Sequence, residues 1–444
     1  MNPRKNHFAT TAVATIAAAL PLNANEPGAA TAGRENSRDP IVETGSEREH
    51  LLGDFGGWRT RAVEQGVHLG AGYINEIFGN LSGGRRRGAI VEGLGEISID
   101  LDLEKLTDIW PGAEFRSSFL LPHGRSPSGQ LVGDLQTISN IDAYDSPLLY
   151  ELWLDQSLWD NRLSIRVGQL LADTEFAASD YGALLLNGSF GWPAFISGNS
   201  LNAGPTFFRA APGVRVRAHL AEDGYVQAGI YDGDTFDSAE GNPRRNRHGL
   251  RWRLNSDQGA FAIAETGWGI NQGTNATGLA GTYKLGAWLH TADFTDLEDD
   301  TRSHSGNHGY YLTVDQMLWR ENGSGDEQGL GLFFRAGCSP EDRSALEYTF
   351  DTGLHYRGPL PGRDDDALAL GFACVNISDD QRRAERAAGA AVLSDYELAV
   401  ELSYQINVTP WLGIQPDVQW IRHPGGSAAL NDALVIGLRT RVTF

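Results

Sequence analysis

Arginine recurs at every second position of an extended stretch, GVRVRAHL at residues 213–220. In a strand, successive side chains point to opposite faces, so Arg215 and Arg217 share one face while Val214 and Val216 share the other. The arginine face offers planar, stacking-competent cations. The valine face needs an apolar environment. The spacing therefore indicates a wall with a polar side and an apolar side.

Motifs for covalent or metal chemistry are absent from the sequence. It contains no GxSxG, HExxH, Walker or CxxC pattern, and its histidines do not cluster at metal-ligand spacing. The stretches DGDTFD (232–237) and DLEDD (296–300) lack the full spacing of a calcium loop, which favours solvated loop charge and leaves calcium open. Glu151 and Asp155 could serve a glycosidase, but nothing places them at the required separation. We expect no enzyme activity, cofactor or metal.

The N-terminus predicts an exported protein. Arg4 and Lys5 precede the apolar run TTAVATIAAAL, which is too short to span a bilayer and is typical of a signal peptide over residues 1–24. Residues 25–66 form a lead-in with a short helix near Gly57–Gln65, and a barrel domain follows over 67–444. The formal net charge of -21 argues against a nucleic-acid partner.

Period-two alternation dominates from Val67 onward and gives seventeen candidate strands. They lie at 67–79, 91–104, 113–121, 149–157, 162–170, 213–220, 223–231, 248–254, 259–269, 281–293, 309–319, 329–338, 346–357, 367–376, 395–407, 411–421 and 434–444. Bacterial barrels have an even count, with short periplasmic turns and longer outer loops. Assigning short turns to one side of the membrane gives different results when the strands are counted from Val67 and from Phe444. The two counts agree if the shortest candidate, 248–254, is an outer loop, which places Arg251 and Arg253 outside.

A membrane barrel is favoured over a soluble β-sandwich. The strands, at about 9–13 residues, match a tilted membrane crossing. Their polar faces repeatedly carry carboxylates and arginines, which suits a wet lumen, and the last strand ends on Phe444. The sequence predicts an all-β, sixteen-stranded antiparallel transmembrane β-barrel with a short N-terminal periplasmic helix and inward-folded loops.

Two long segments are candidates for narrowing the lumen. The segment 171–212 is too long and apolar for a simple connector, and Trp192 is among its aromatics. The alternative is a loop packed on a neighbouring loop or subunit. The segment 122–147 is the second candidate. Cys338 and Cys374 lie on predicted strands that are separated by one other strand, so their Cα atoms would be about 10 Å apart. That distance is too long for a disulfide, and we expect none.

A series of motifs in fixed order resembles a known family. From residue 50 onward the chain contains LLGDFGGWRTRAVEQGV, GNLSGG, DLEKL, SNIDA, YELWLDQ, GQLLADTEF, SDYGALLLNGSFGWPAF, PGVRV, GTYKLGAW, DQMLW, PGRDDD, TPWLGIQPDVQW and HPGG. These are similar to the carbohydrate-selective outer-membrane porins of the OprB type. The resemblance implies facilitated diffusion of glucose-like mono- or oligosaccharides, with Arg125 of HGRSPS and Asp142 of SNIDAY at the constriction.

The remaining lumen candidates come from the polar faces and the long loop. With Arg125 and Asp142, the full candidate set is Glu96, Arg116, Glu151, Trp153, Arg166, Trp192, Arg215 and Arg217. Carboxylates and guanidinium groups on opposite walls would accept from and donate to sugar hydroxyls. The alternatives are a porin for anions or small carboxylates and, in another class, a secreted β-rich glycan-binding protein.

The expected partners follow from this interpretation. They are a carbohydrate, the lipid of the bacterial outer membrane, the barrel-assembly machinery through the strand ending at Phe444, and a possible second copy in a homo-oligomer.

Overall fold

The computed structural model describes residues 48–221, 223–238, 241–272, 276–322 and 328–444. The predicted signal peptide and the first part of the lead-in, up to residue 47, lie outside the described residues.

The described chain forms one closed antiparallel barrel in which each strand pairs with its sequence neighbours and the last strand pairs with the first. Its strands are β1 Val67–Ser82, β2 Gly88–Asp102, β3 Ala113–Gly124, β4 Leu148–Leu158, β5 Leu163–Leu170, β6 Ala211–Ala221, β7 Gly224–Asp232, β8 Ala260–Ile270, β9 Gly281–Thr295, β10 Ser303–Arg320, β11 Gly329–Cys338, β12 Leu346–Arg357, β13 Ala367–Ile377, β14 Tyr396–Thr409, β15 Leu412–Arg422 and β16 Ala433–Thr443. The predicted sixteen strands are confirmed, as is the exclusion of 248–254.

Alternation produces the two faces of this barrel. On β2 the side chain of Ile97 is exposed on the outside, whereas its neighbours Glu96 and Ser98 are buried inside. Val214 and Val216 of β6 are likewise exposed, and Arg215 between them is buried. An apolar outer belt around a polar interior is the arrangement that a lipid environment requires.

The two ends of the barrel differ. The turn end holds both the start of β1 and the end of β16, and its connections include Ala221 to Gly224 and Thr409 to Leu412. The opposite end, the loop end, carries the longest connections, 125–147, 171–210 and 233–259.

Short helices occur before the barrel and in its connections. They are α1 Trp58–Glu64, α2 Leu103–Thr107, α3 Gly188–Gly191, α4 Ala194–Gly198 and α5 Asp379–Ala387, with single helical turns at Ser128–Val132, Gly182–Leu184, Leu201–Ala203, Pro243–Asn246, Ser256–Gln258 and Pro424–Gly426. The predicted helix before the barrel corresponds to α1. Among the described residues no helix is long and apolar enough to cross a membrane.

Both long loops fold into the barrel, as predicted. The 171–210 loop leaves β5, yet the amides of Leu186 and Asn187 donate to Glu401 on β14. The 125–147 loop also reaches β14, where the amides of Leu135 and Gln136 donate to Glu397 at 2.8–2.9 Å. Aromatic and aliphatic side chains of these loops build the buried clusters inside the barrel.

The two cysteines are free. Cys338 ends β11 and Cys374 lies on β13, with β12 between them.

Candidate functional site

An arginine on β3 gathers carboxylates from both neighbouring strands. Arg116 is the cross-strand partner of Asp100 on β2 and Trp153 on β4, so the inner face brings their neighbours within reach. Its guanidinium donates to Asp100 at 2.8 Å, to Glu151 at 2.8 Å and to Glu96 at 3.2 Å. Three predicted residues, Glu96, Arg116 and Glu151, therefore form one cluster.

A second cluster follows on β4 to β6. Arg166 and Arg215 are direct cross-strand partners, an arrangement that alone is destabilising because the charges are alike. Asp155 and Glu175 neutralise both. Asp155 lies 2.8 Å from Arg166 and 2.9 Å from Arg215, and Glu175 lies 2.6 Å from Arg166 and 2.9 Å from Arg215. The result is a square of two cations and two anions.

Trp153 joins the two clusters. Its indole N–H donates to Glu151 at 3.0 Å, and the guanidinium of Arg166 lies 3.9 Å above its ring. Further along the wall, Arg217 lies 4.0 Å above the ring of Tyr225. The aromatic rings are thus covered by guanidinium groups, which limits the arginines to one orientation each.

The wall as a whole alternates hydrogen-bond donors and acceptors. Its guanidinium groups can only donate and its ionised carboxylates can only accept. A polyhydroxylated solute can exchange hydrogen bonds with both kinds of group. The surface suits reversible binding, since its strongest bonds are already made within the protein.

Three predicted residues do not present the groups expected of them. Trp192 is fully buried beside Phe195 and Trp288, so no ring face is open to a solute. Asp142 is also buried and accepts a hydrogen bond from the Ser126 hydroxyl. Asp142 and Arg125 do not face each other as a pair in this structure, and their implied role at the constriction stays a prediction. Burial of Asp142 occurs because the 125–147 loop packs against β1 and β16.

Arg125 itself follows the end of β3 at the loop end and is exposed. Among the described residues it forms no ion pair with Asp142. It can contact a solute only near the entrance at that end.

Burial also raises the pKa of Asp142 to about 7. The desolvation of the carboxyl outweighs the opposing hydrogen bond from Ser126, and the negative charges of Asp134 and Glu76 add to the shift. A carboxyl buried in this way contributes to the packing of the loop.

The sequence reasoning missed Glu175, which completes the square with Arg166 and Arg215. It lies in the 171–210 loop, outside any alternating segment, and only the inward fold of that loop brings it to the wall. Glu265 was missed too. This β8 carboxylate accepts from Tyr225 at 2.6 Å and from the amide of Ala177 at 2.8 Å. The available signal was the alternation of β8, which places Glu265 on the face toward the lumen.

The acidic stretches at 232–237 and 296–300 organise their own loops. Asp234 accepts from the amides of Phe236 and Ser238. Asp296 accepts from the amides of Glu298 and Asp299. These contacts account for the clustered acids as turn-forming groups.

A closed sixteen-stranded barrel with an apolar belt and a charged inner face, partly filled by its own loops, is the architecture of an outer-membrane porin. The profile of the family described as carbohydrate-selective porin, OprB family, matches residues 86–444. The chain belongs to this family and is a bacterial outer-membrane protein.

Curated relatives and a solved structure agree with this assignment. Porin B of Pseudomonas aeruginosa PAO1 is 26% identical over 439 residues, covering 89% of this chain and 91% of that protein. The putative porin QuiX of Acinetobacter baylyi ADP1 is 24% identical and covers 90% and 94%. The high-pH structure of Pseudomonas putida OprB superposes with a TM-score of 0.79 at 24% identity, covering 90% of this chain and 100% of that one. These relatives are porins, which are channels.

Proposed function

We propose that this porin passes small neutral sugars, glucose-like mono- or oligosaccharides, by facilitated diffusion along the wall formed by β2 to β7. The observation that carries the proposal is the square in which Arg166 and Arg215 share Asp155 and Glu175, next to the Arg116 cluster. A sugar hydroxyl both donates and accepts, so it can bind at each step along such a wall.

Hydrogen bonding is the main source of recognition in this proposal. The ring of Trp153 is occupied by Arg166 and therefore serves to hold the guanidinium in place. Binding must stay weak because a tight site would slow release and flux. Arginines that are already paired meet this condition, since a sugar only supplements their existing bonds.

The charge balance favours neutral solutes over anions. The three arginines at 116, 166 and 215 are surrounded by five carboxylates at positions 96, 100, 151, 155 and 175. An anion approaching these arginines would meet the carboxylates as well. A porin for anions or small carboxylates remains the second candidate, because Arg217 has no carboxylate partner among the described residues.

The proposed orientation places the turn end in the periplasm, with α1, and the loop end outside the cell. Short turns at one end and long loops at the other support it. Recognition of β16 by the barrel-assembly machinery and the formation of a homo-oligomer stay predictions.

Planar bilayers and liposome swelling test the proposal with three proteins: wild type, Arg166→Gln, which changes the more exposed arginine of the square, and the control Arg386→Gln on α5 at the loop end. A charge-assisted hydrogen bond contributes about 1.5–3 kcal/mol. We therefore expect glucose to block the current of Arg166→Gln with an affinity about tenfold or more below wild type. Selectivity should also shift toward cations, because Asp155 and Glu175 lose a counter-charge, and the control should match wild type.

Anion selectivity of the wild-type channel without any block by glucose would contradict the sugar proposal and favour the anion porin. Sugar permeation through Arg125→Ala, measured in parallel, tests whether the exposed arginine at the loop end contributes to it.

A further inference from the structure

A stretch of the loop between β7 and β8 lies against the outside of the barrel wall. The carbonyl of His248 accepts from the amide of Leu149 at 3.0 Å, and the indole N–H of Trp252 donates to the side chain of Gln169 at 2.6 Å. Both wall residues are at the loop end, on β4 and β5. The segment therefore crosses over β6 and β5 to reach β4.

The register identifies this contact as an outer one. Leu149 is the partner of Phe119, which points outward and is 48% exposed, yet Leu149 is only 6% exposed. Gln169 points to the same face of β5 as Val167, which is 47% exposed, yet Gln169 is only 3% exposed. These outward residues are buried because residues 246–252, within the loop segment 244–254, cover them. It lies where β5, at 8 residues, ends early.

The segment turns large apolar side chains away from the barrel. Three of them alternate along it and are strongly exposed: Leu250 at 66%, Trp252 at 54% and Leu254 at 80%. They extend the apolar outer belt of β4 to β6 at the loop end. Trp at this level is typical of a membrane–water interface.

Arginines accompany these apolar residues. Five lie within the segment, at positions 244, 245, 247, 251 and 253. Among the described residues, Arg244, Arg245 and Arg253 form no ion pair. Arg247 donates only to neutral acceptors, the Ser146 hydroxyl and the Asp145 carbonyl, and Arg251 reaches Asp237 at 3.4 Å. In a chain of net charge -21, this is a local excess of unpaired cations.

We infer that residues 244–254 bind the phosphorylated headgroups of the outer-membrane leaflet at the loop end. Leu250, Trp252 and Leu254 enter the acyl boundary. The arginines extend their apolar stems along it and place their guanidinium groups at the phosphates. The surface lies on the outer wall, so the inference is independent of the solute that crosses the lumen.

A second copy of the chain fits this surface less well than a lipid does. A two-fold contact centred here would bring the same five arginines of each copy toward one another. Like charges in the low dielectric of a membrane repel strongly. Anionic headgroups instead complement the charge and satisfy the apolar residues at the same time.

Native mass spectrometry of the full-length porin in a non-ionic detergent tests the inference. The probes are diphosphoryl lipid A and, as a zwitterionic reference without net charge, phosphatidylcholine. The variant R244Q/R245Q/R253Q removes unpaired arginines, and the matched control R302Q/R382Q/R383Q removes three loop-end arginines that have carboxylate partners. We expect wild type and control to bind lipid A over phosphatidylcholine, and the first variant to bind it about tenfold or more weakly.

A second variant, Leu254→Ser, tests the apolar half of the surface and should weaken both lipids. Equal loss in the control would overturn the inference in favour of general charge attraction. Equal binding of the two lipids by wild type would also overturn it, because the arginines would then not recognise the anionic headgroup. Complete displacement of lipid A by inorganic phosphate would identify a free-anion site instead. A smaller oligomer in the variants with unchanged lipid binding would identify a contact between copies. Glucose swelling of the same variants reports separately on the proposed sugar transport.

Discussion

At the scale of single residues, the loops inside the barrel are held by carboxyl groups that are costly to ionise. Asp173 is buried at the start of the 171–210 loop and accepts from the amide of Phe207 at 2.8 Å. Burial raises the pKa of Asp173 to about 7, because desolvation outweighs the hydrogen bonds, and one carboxyl oxygen has no hydrogen-bond partner among the described residues. Such a group couples the packing of the loop to pH.

The sign of this coupling follows from the direction of the shift. The folded pKa of about 7 lies above the unfolded value of about 3.9. The protonated carboxyl therefore stabilises the folded loop fully below about pH 4, and this stabilisation is lost as the pH rises to about 7.

We predict that the 171–210 loop is better protected at pH 5 than at pH 8, by on the order of 1 kcal/mol per pH unit up to about pH 7, with little further change above it. Asp173→Asn, which mimics the protonated form, should flatten the dependence. Hydrogen exchange at the amide of Phe207, corrected for the intrinsic rate at each pH, measures it. A dependence of unchanged slope in Asp173→Asn would assign the effect to other groups, such as Asp142.

At the scale of elements, the far wall fixes the backbone of the loops. Glu401 on β14 accepts from two successive amides of the 171–210 loop, those of Leu186 and Asn187. Arg335 on β11 donates to the carbonyls of Ala177 at 2.7 Å and Gly191 at 2.9 Å. The loop is thus held across the lumen by polar bonds as well as by its aromatic core.

We predict that Glu401→Leu loosens this loop, because two buried amides lose their acceptor at about 1–3 kcal/mol each. Single-channel recordings should show added conductance fluctuations and a higher mean conductance. Glu401→Gln, which keeps one acceptor oxygen, should be intermediate. Glu114→Leu on β3, an exposed carboxylate at the turn end, is the matched control and should record as wild type. Quiet, unchanged recordings from Glu401→Leu would mean that the apolar contacts suffice.

Local alternation predicts the strands because each side chain's face depends only on its immediate neighbours. It placed Arg166 and Arg215 on the inner face and Val214 outside. The segment 248–254 also alternates, and its short length and the strand count excluded it from the wall. Alternation could not place Trp192 or Glu175, because their surroundings depend on how the 171–210 loop folds inward, onto Trp288 of β9 for Trp192 and onto Arg166 and Arg215 for Glu175. The same limit applies to Asp142, whose burial depends on how the 125–147 loop meets β1.

At the scale of the whole molecule, closure of the barrel depends on the seam between β1 and β16. The amide of Phe444 donates to Ala71 at 2.9 Å, and Arg59 of α1 donates to the carbonyl of Phe444 at 3.0 Å. Inside the seam, Arg439 of β16 pairs with Glu76 of β1. The two residues are cross-strand partners, so this ion pair joins the first strand to the last.

The seam pair is buried and also holds a loop. Glu76 accepts from Ser139, and Arg439 donates to the side chain of Asn140, both in the 125–147 loop. Removing one member of a buried pair costs about 3–5 kcal/mol, whereas replacing both by neutral groups of similar volume is often nearly neutral. Single and double variants of this pair can therefore distinguish the effect of an unpaired buried charge from the effect of lost packing.

We predict that Arg439→Met lowers the temperature at which the folded barrel converts to its unfolded form on a heat-modifiability gel, because Glu76 is left buried and unpaired. The double variant Arg439→Met/Glu76→Gln should recover most of the loss, and Arg386→Gln on α5 should change nothing. If the double variant were as unstable as Arg439→Met, the instability would come from lost packing around the guanidinium stem. In that case closure would rest on the backbone ladder of β1 and β16 and on the apolar belt, with the ion pair serving to position the 125–147 loop.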